Sequence, residues 1–346
     1  MKERIVIRSS NWLGDAVMSV PAVRALKHSD PGAHIAVLTP EKLADVWRLV
    51  AEVDEVIAFP AARGVVSGML NIFRVAKLVR GGGFTDGVIF PNSLRTALEM
   101  WLARIPRRTG YPGHGRRAFF LSNVLREAIA TPDAPATAPG RHQVHHDLRL
   151  AEFLGANVDA DASFGFPDAS KKRTRVPGAP LKIAVCAGAE YGAAKRWLPE
   201  RFAEVIQEVG RDATCLWQLV GVAKDREVAA EIAKHCEDQA NVENLCGETT
   251  LAQLIGILRE CDALLTNDTG TMHLAALLGV PTVAIFGSTE PALTGPLGAG
   301  HAVIRKRVEC SPCFLRECPI DFRCMKEVEA DTVTAALRRV LGIDVS

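Results

Sequence analysis

The chain has 346 residues, more than one hydrophobic core ordinarily organises and about right for two domains of ~100–200 residues each. With 48% hydrophobic and 23% charged residues it has the composition of a folded soluble protein, and 41 basic against 40 acidic side chains leave a net charge of +1, so no global field recruits nucleic acid. The opening Met1-Lys-Glu-Arg-Ile-Val-Ile-Arg lacks the apolar core of a signal peptide, and no apolar run approaches the ~18 residues of a membrane span, which makes the cytoplasm the expected compartment.

In chain order, strands are predicted over residues 4–8, 34–38, 53–59 and 86–90. Helices are predicted over 16–27, 43–50, 67–80 and 94–103, the first kinked or begun at Pro21. Residues 107–145 break this rhythm. They are rich in Arg, Gly, His and Pro, and 131–140 reads as a mobile loop with His142, His145 and His146 beside it, a solvated loop rather than a metal site. A helix over 147–154 follows. Residues 168–180, with Lys171-Lys-Arg-Thr-Arg and two prolines, form the linker candidate. The pattern then restarts, with strands over 182–186, 213–220, 263–266, 282–286 and 302–304 and helices over 199–208, 224–235, 251–259, 271–278 and 330–341. Alternating strands and helices in both halves predict an α/β fold of two doubly wound sheets facing each other across a cleft. The expected limits are 1–170, a linker at 171–180, 181–328, and a final segment, 329–346, whose helix could pack back on the N-terminal domain.

The stretch 262–288 is the most informative. An apolar strand runs into Asn267-Asp268-Thr269-Gly270, a turn of helix-capping residues, then a short helix closed by Gly279 and a second apolar strand. Strand, helix, strand implies a parallel βαβ unit, and the turn lies at a strand's carboxyl end, where open α/β sheets bind ligands. N–H groups at a helix N-terminus suit phosphate. Asp268, Thr269 and His273 would sit within a turn of that cradle. Lys195 lies in the low-bulk loop 187–196 after another strand and could approach the same kind of anion, although the spacing is not that of a Walker loop. Asp15 follows the first strand and a glycine. It is read either as a helix cap or as a carboxylate that takes a proton from a bound hydroxyl. Five cysteines in apolar contexts (Cys186, Cys215, Cys236, Cys246 and Cys261) read as small buried hydrophobes. The remaining four, Cys310-x2-Cys313-x4-Cys318-x5-Cys324, have the count for a tetrahedral thiolate site, with reduced structural thiols the leading reading and structural zinc or an iron–sulfur site the lesser one.

Asn11-Trp-Leu-Gly-Asp-Ala-Val, Gly188-Ala-Glu-Tyr-Gly-Ala-Ala-Lys-Arg-Trp, Asn267-Asp-Thr-Gly-Thr-Met-His-Leu-Ala-Ala with Gly279-Val-Pro-Thr-Val-Ala-Ile-Phe-Gly, and Cys310-Ser-Pro-Cys-Phe-Leu-Arg-Glu-Cys-Pro resemble the ADP-heptose:lipopolysaccharide heptosyltransferases, most nearly their type II branch. The resemblance spans nearly the whole chain and is weakest over 107–180. It implies the GT-B fold, two Rossmann-like domains with the acceptor in the first and the donor in the second. It further implies an inverting, metal-independent transfer that requires no cofactor, with ADP-heptose as donor and a lipid-anchored oligosaccharide at the inner face of the membrane as acceptor. Asp15 matches the general base and Lys195 the lysine on the donor phosphates. Asp268, Thr269, Gly270, Thr271 and His273 match donor contacts on heptose and diphosphate. Glu190 and Tyr191 stand where a related transferase has two threonines. Thr249 and Leu251 mark the edge of the adenine pocket, and Asp225 or Glu227 the ribose. Asn11, Gly14, Arg63, Arg95, Arg116 and Arg117 are the acceptor candidates. Rival readings are a GT-B enzyme with another nucleotide-sugar or acceptor, and a non-catalytic nucleotide binder. An NAD-dependent epimerase or dehydrogenase would need Gly-x-Gly-x-x-Gly after the first strand, where residues 9–16 hold one glycine.

Overall fold

The computed structural model describes residues 3–61, 64–113, 115–126, 141–158, 164–171, 178–236 and 241–343, without the side chains of 65, 66, 115 and 116. Arg63, the Arg116 side chain, the loop 131–140 and most of the expected linker at 171–180 lie outside the described residues. The chain divides into two compact units, Met1–Ala160 and Asp161–Ser346.

In the first unit, β1 (Arg4–Arg8), β2 (His34–Pro40), β3 (Glu55–Phe59), β4 (Asp86–Ile89), β5 (Arg107–Gly110) and β6 (Asn123–Val124) form one sheet in the order β3-β2-β1-β4-β5-β6. In the second, β7 (Leu181–Cys186), β8 (Cys215–Leu219), β9 (Val242–Asn244), β10 (Ala263–Asn267), β11 (Thr282–Phe286) and β12 (Ala302–Arg305) take the order β12-β11-β10-β7-β8-β9. All the pairings are parallel. Both orders are the doubly wound 3-2-1-4-5-6, so each sheet reverses once, between β1 and β4 and between β7 and β10. Parallel strands are covered on both faces, which is why β1, β2, β7 and β11 are near-continuous apolar runs.

The predicted helix 16–27 is two helices, Leu13–Met18 and Val20–Ser29, because Pro21 fits only a helix's first turn and Ser19 closes the preceding one through its hydroxyl to Ala16 O, 2.8 Å. Three strands carry no apolar signal. β5 is Arg-Arg-Thr-Gly, and Arg107 holds its register by a two-pronged bond to the Asp86 carboxylate directly opposite on β4, both at 2.5 Å. β6 and β9 are two and three residues long. The segment 164–170, expected at the end of the N-terminal domain, belongs to the second unit: Ala169 N–H donates to Ala299 O at 2.9 Å and Phe166 is buried. The final helix is Ala330–Leu341. Its apolar face, Val333, Ala336, Leu337 and Leu341, joins the core of the second unit, beside Phe202 and Ile206 of the helix Pro199–Asp212. Among the described residues, no helix is long and apolar enough to cross a membrane.

A buried ion pair anchors the first unit. Arg8, last residue of β1, is 1% exposed and donates to Glu99 of the helix Leu94–Leu102 at 2.8 Å. Burial pulls the Arg8 guanidinium below its ordinary pKa, and Glu99 opposes the shift. Glu99→Ala would leave that cation buried among neutral acceptors, so urea unfolding of the first unit should fall by about 3–5 kcal/mol. An Arg8→Met/Glu99→Leu double variant, which removes both charges, should lose clearly less.

Candidate active site

In the first unit the polar residues gather on the loop after β1, beside the strand-order reversal. Arg8 is bonded not only to Glu99: Nη1 donates to Ser9 O at 2.5 Å, Nη2 to Asn11 Oδ1 at 3.3 Å, and the guanidinium stands 4.6 Å from the Phe59 ring centroid. Trp47 Nε1 donates to Ser9 Oγ at 3.2 Å. The loop is therefore fastened from beneath before it turns into the short helix Leu13–Met18. That helix is capped at Trp12, not at Asp15. Asp15 is half-buried, as is Gly14, and its Oδ1 accepts from Gln143 Nε2 at 3.0 Å. Gln143 carries no sequence signal, since it lies at the end of a stretch read as loop.

The arginine candidates separate. Arg95 donates to Glu99 at 3.0 Å and keeps 39% exposure of its side chain. Arg117 is no surface contact: it is fully buried and donates to Ser93 O at 3.2 Å and Pro91 O at 3.0 Å, bracing the loop after β4. Burial without an acidic partner pulls it down to about 10.

In the second unit the loop after β7 is tied at both ends by one side chain. Asn267 Nδ2 donates to Ala187 O at 2.6 Å, and Trp197 N–H donates to Asn267 Oδ1 at 3.0 Å. Between these ties, Lys195 Nζ sits 2.5 Å from Asp268 Oδ2, which also accepts from Thr289 Oγ1 at 2.7 Å. Two residues read from sequence as separate contacts are thus one ion pair, its side chains 13% and 4% exposed. Lys195 Nζ also lies 5.0 Å from the Tyr191 ring centroid, with Arg316 at 5.1 Å. Tyr191 donates its hydroxyl to Phe314 O at 2.8 Å. Glu190 is exposed.

Directly after Asp268, Thr269 is the N-cap of the helix Gly270–Leu277 and makes no side-chain cap bond. The first-turn N–H groups of Gly270 and Thr271 are thereby left without a hydroxyl cap, in line with a site that binds anions. The Thr269 and Thr271 hydroxyls lie by Cys186 Sγ, at 3.9 and 3.5 Å, so Thr271 can offer a ligand chiefly its backbone. His273 is buried, one turn into the helix.

Small residues in the β7 loop are obligatory. A Cβ on Gly188 would fall 2.3 Å from the Asp225 carboxyl carbon, and one on Gly192 2.3 Å from Arg316 O. Asp225 is buried, accepts from Val222 N–H at 3.1 Å and stands 3.7 Å from Arg196, with Oδ1 lacking a hydrogen-bond partner. Glu227 is exposed. Thr249 and Leu251 follow β9, two strands from β7. Both are half-buried, and the cap of the helix Leu251–Glu260 between them is Thr250, boxed with Gln253.

None of the nine cysteines is in a disulfide. Cys310, Cys313, Cys318 and Cys324 line one cavity with Ala194 and Ser288, and Phe322 N–H donates to Cys318 Sγ at 3.3 Å. Burial, helped by the other three sulfurs, pushes the Cys324 thiol up to about 11. Among the described residues no group of three or more His, Cys, Asp or Glu side chains is disposed to hold a metal ion.

Two successive doubly wound units, each with its candidate loops at its own strand-order reversal, follow the plan of a GT-B glycosyltransferase. The family model for glycosyltransferase family 9 (heptosyltransferase) matches residues 72–322, and the chain belongs to that family. Lipopolysaccharide heptosyltransferase 2 of Salmonella typhimurium is 33% identical over 318 residues, 87% of this chain and 88% of the relative. The Escherichia coli K12 enzyme of the same name is 32% identical over 314 residues, again 87% and 88%. Among solved structures, E. coli ADP-heptose lipopolysaccharide heptosyltransferase II superposes with a TM-score of 0.78 at 26% identity, covering 99% of this chain and 98% of its own. E. coli heptosyltransferase WaaC with ADP, at 19% identity and a TM-score of 0.73 over 97% and 99%, shares the fold.

Proposed function

We propose that this glycosyltransferase moves heptose from ADP-heptose to a heptose hydroxyl of the lipopolysaccharide inner core, with inversion at the anomeric carbon and without a metal. The observation that carries the reading is the Lys195–Asp268 pair beside the N-terminus of the helix Gly270–Leu277. A leaving diphosphate needs positive charge and fixed donors. Lys195 would turn from Asp268 to the phosphates, while N–H groups at Gly270 and Thr271 take the oxygens. The released Asp268 would accept hydrogen bonds from heptose hydroxyls, so donor binding exchanges one ion pair for two sets of contacts. Thr269 and His273 complete the donor surroundings, Asp225 meets the ribose, and Thr249 and Leu251 edge the adenine.

Asp15, in the first unit, serves as the general base. It takes the proton from the acceptor hydroxyl as that oxygen attacks the anomeric carbon on the face opposite the departing ADP. Asn11, Gly14, Arg95, Arg63 and Arg116 serve the acceptor, arginine suiting its phosphates and carboxylates. The acceptor is lipid-anchored, which puts the enzyme at the cytoplasmic face of the inner membrane.

The test is incubation of the full chain with ADP-heptose and a truncated inner-core acceptor in the presence of a chelator. ADP release that requires acceptor, with a product of inverted anomeric configuration by NMR, is the expected result. Turnover of a uridine-linked sugar in preference, or binding of ADP with no transfer to any acceptor, would overturn the donor assignment or the transfer itself.

A further inference from the structure

A surface helix ordinarily turns a polar face to water. The helix Val65–Val79 of the first unit does not. Its inner side gives Asn71, Val75, Ala76 and Val79 to the unit's interior. Its outer side exposes Met69 by 62%, Leu70 by 63%, Phe73 by 62% and Leu78 by 46%. At about 100° per residue these four share one arc of about 180° with Arg74 and Lys77, so apolar and basic side chains alternate across it. Arg80 follows at the helix end, exposed. The sequence contains no Asp or Glu between Glu55 and Asp86, while Arg63, Arg74, Lys77 and Arg80 all fall in that interval.

A patch of this kind marks an interaction surface, and its charge selects the occupant. A second copy of the chain docking on the same face would bring like cations against each other across a two-fold axis. A layer of anionic headgroups over an apolar interior matches both components at once: aromatic and aliphatic groups sink to the acyl boundary while Arg and Lys stay at the phosphates. We infer that the outer face of the helix Val65–Val79 is the surface by which the protein docks on an anionic lipid bilayer. The inference draws its purpose from the lipid-anchored acceptor proposed above, but the binding itself requires neither donor nor acceptor.

Flotation of the full chain with vesicles of phosphatidylcholine alone and of phosphatidylcholine with phosphatidylglycerol tests it. Binding is expected only to the anionic vesicles and should weaken with salt. Both Leu70→Glu/Phe73→Glu and Arg74→Glu/Lys77→Glu should reduce it by about tenfold or more. All four positions are solvent-facing, so circular dichroism and transfer to a lipid-free, water-soluble acceptor should match the wild type. Vesicle binding unchanged in both variants would overturn the inference, as would a wild-type protein that ignores anionic vesicles. A dimer in light scattering that Phe73→Glu dissolves would assign the face to a second copy and overturn it too. A protein that docks but transfers nothing to the soluble acceptor would sink the proposed reaction and leave the docking surface standing.

Discussion

Lys195→Ala is expected to slow transfer by about 10²-fold or more, the effect of removing one fixed donor from a developing anion. Position decides the size. Lys195 is held 2.5 Å from Asp268, the residue that leads into the N-terminus of the helix Gly270–Leu277, and its side chain is 13% exposed, so its charge is largely withdrawn from water and within a side-chain turn of the proposed donor phosphates. The substitution has a second consequence. It leaves the Asp268 carboxylate, 4% exposed, with the Thr289 hydroxyl as its remaining side-chain donor among the described residues. An under-satisfied buried acceptor costs about 1–3 kcal/mol, so the variant should also unfold earlier in urea. The two effects separate in Lys195→Ala/Asp268→Asn: removing both charges should return most of the stability and none of the rate. Measured by kcat on ADP-heptose and by denaturant titration, full recovery of turnover in the double variant would show that Lys195 acts only by neutralising Asp268. Lys195→Arg should fall between, since a forked guanidinium keeps the charge but cannot occupy the ammonium's place against Tyr191.

That coupling marks the limit of what the residues disclose when read as a string. Strands that cross the sheet interior, such as Thr282–Phe286, and helices with clean punctuation, such as Ala330–Leu341, are legible because burial on both faces or a wide apolar stripe imposes a local pattern. β5 is not, because an ion pair to a residue 21 positions away, Asp86, replaces the missing apolar run. The same holds for the sites. Asp15, Lys195 and Asp268 are visible because each falls in the connection that follows a strand, among capping or small residues. Their immediate partners are not: Gln143 lies 128 positions from Asp15, Thr289 follows a different strand from Asp268, and Arg117 looks like any surface arginine until the structure buries it against Pro91 and Ser93. Long-range partners carry no periodicity, so only the fold discloses them.

Asp15→Asn should lower kcat by about 10²–10⁴-fold, the range contributed by a positioned general base. Asparagine is the informative replacement because it is isosteric. Its amide oxygen can still accept from Gln143 Nε2, so the helix Leu13–Met18 and the loop after β1 keep their geometry while the proposed proton acceptor is lost. ADP affinity should hardly change, since the donor contacts proposed here all lie in the other unit. The acid limb of the kcat profile against pH, which reports protonation of the base, should vanish. Gln143→Ala offers the complementary measurement. It keeps the carboxylate and removes one bond that orients it, so its loss should be far smaller than that of Asp15→Asn and its acid limb should persist. An Asp15→Asn protein with wild-type turnover and an intact acid limb would take Asp15 out of the chemistry, and the proton would then have to leave by another group.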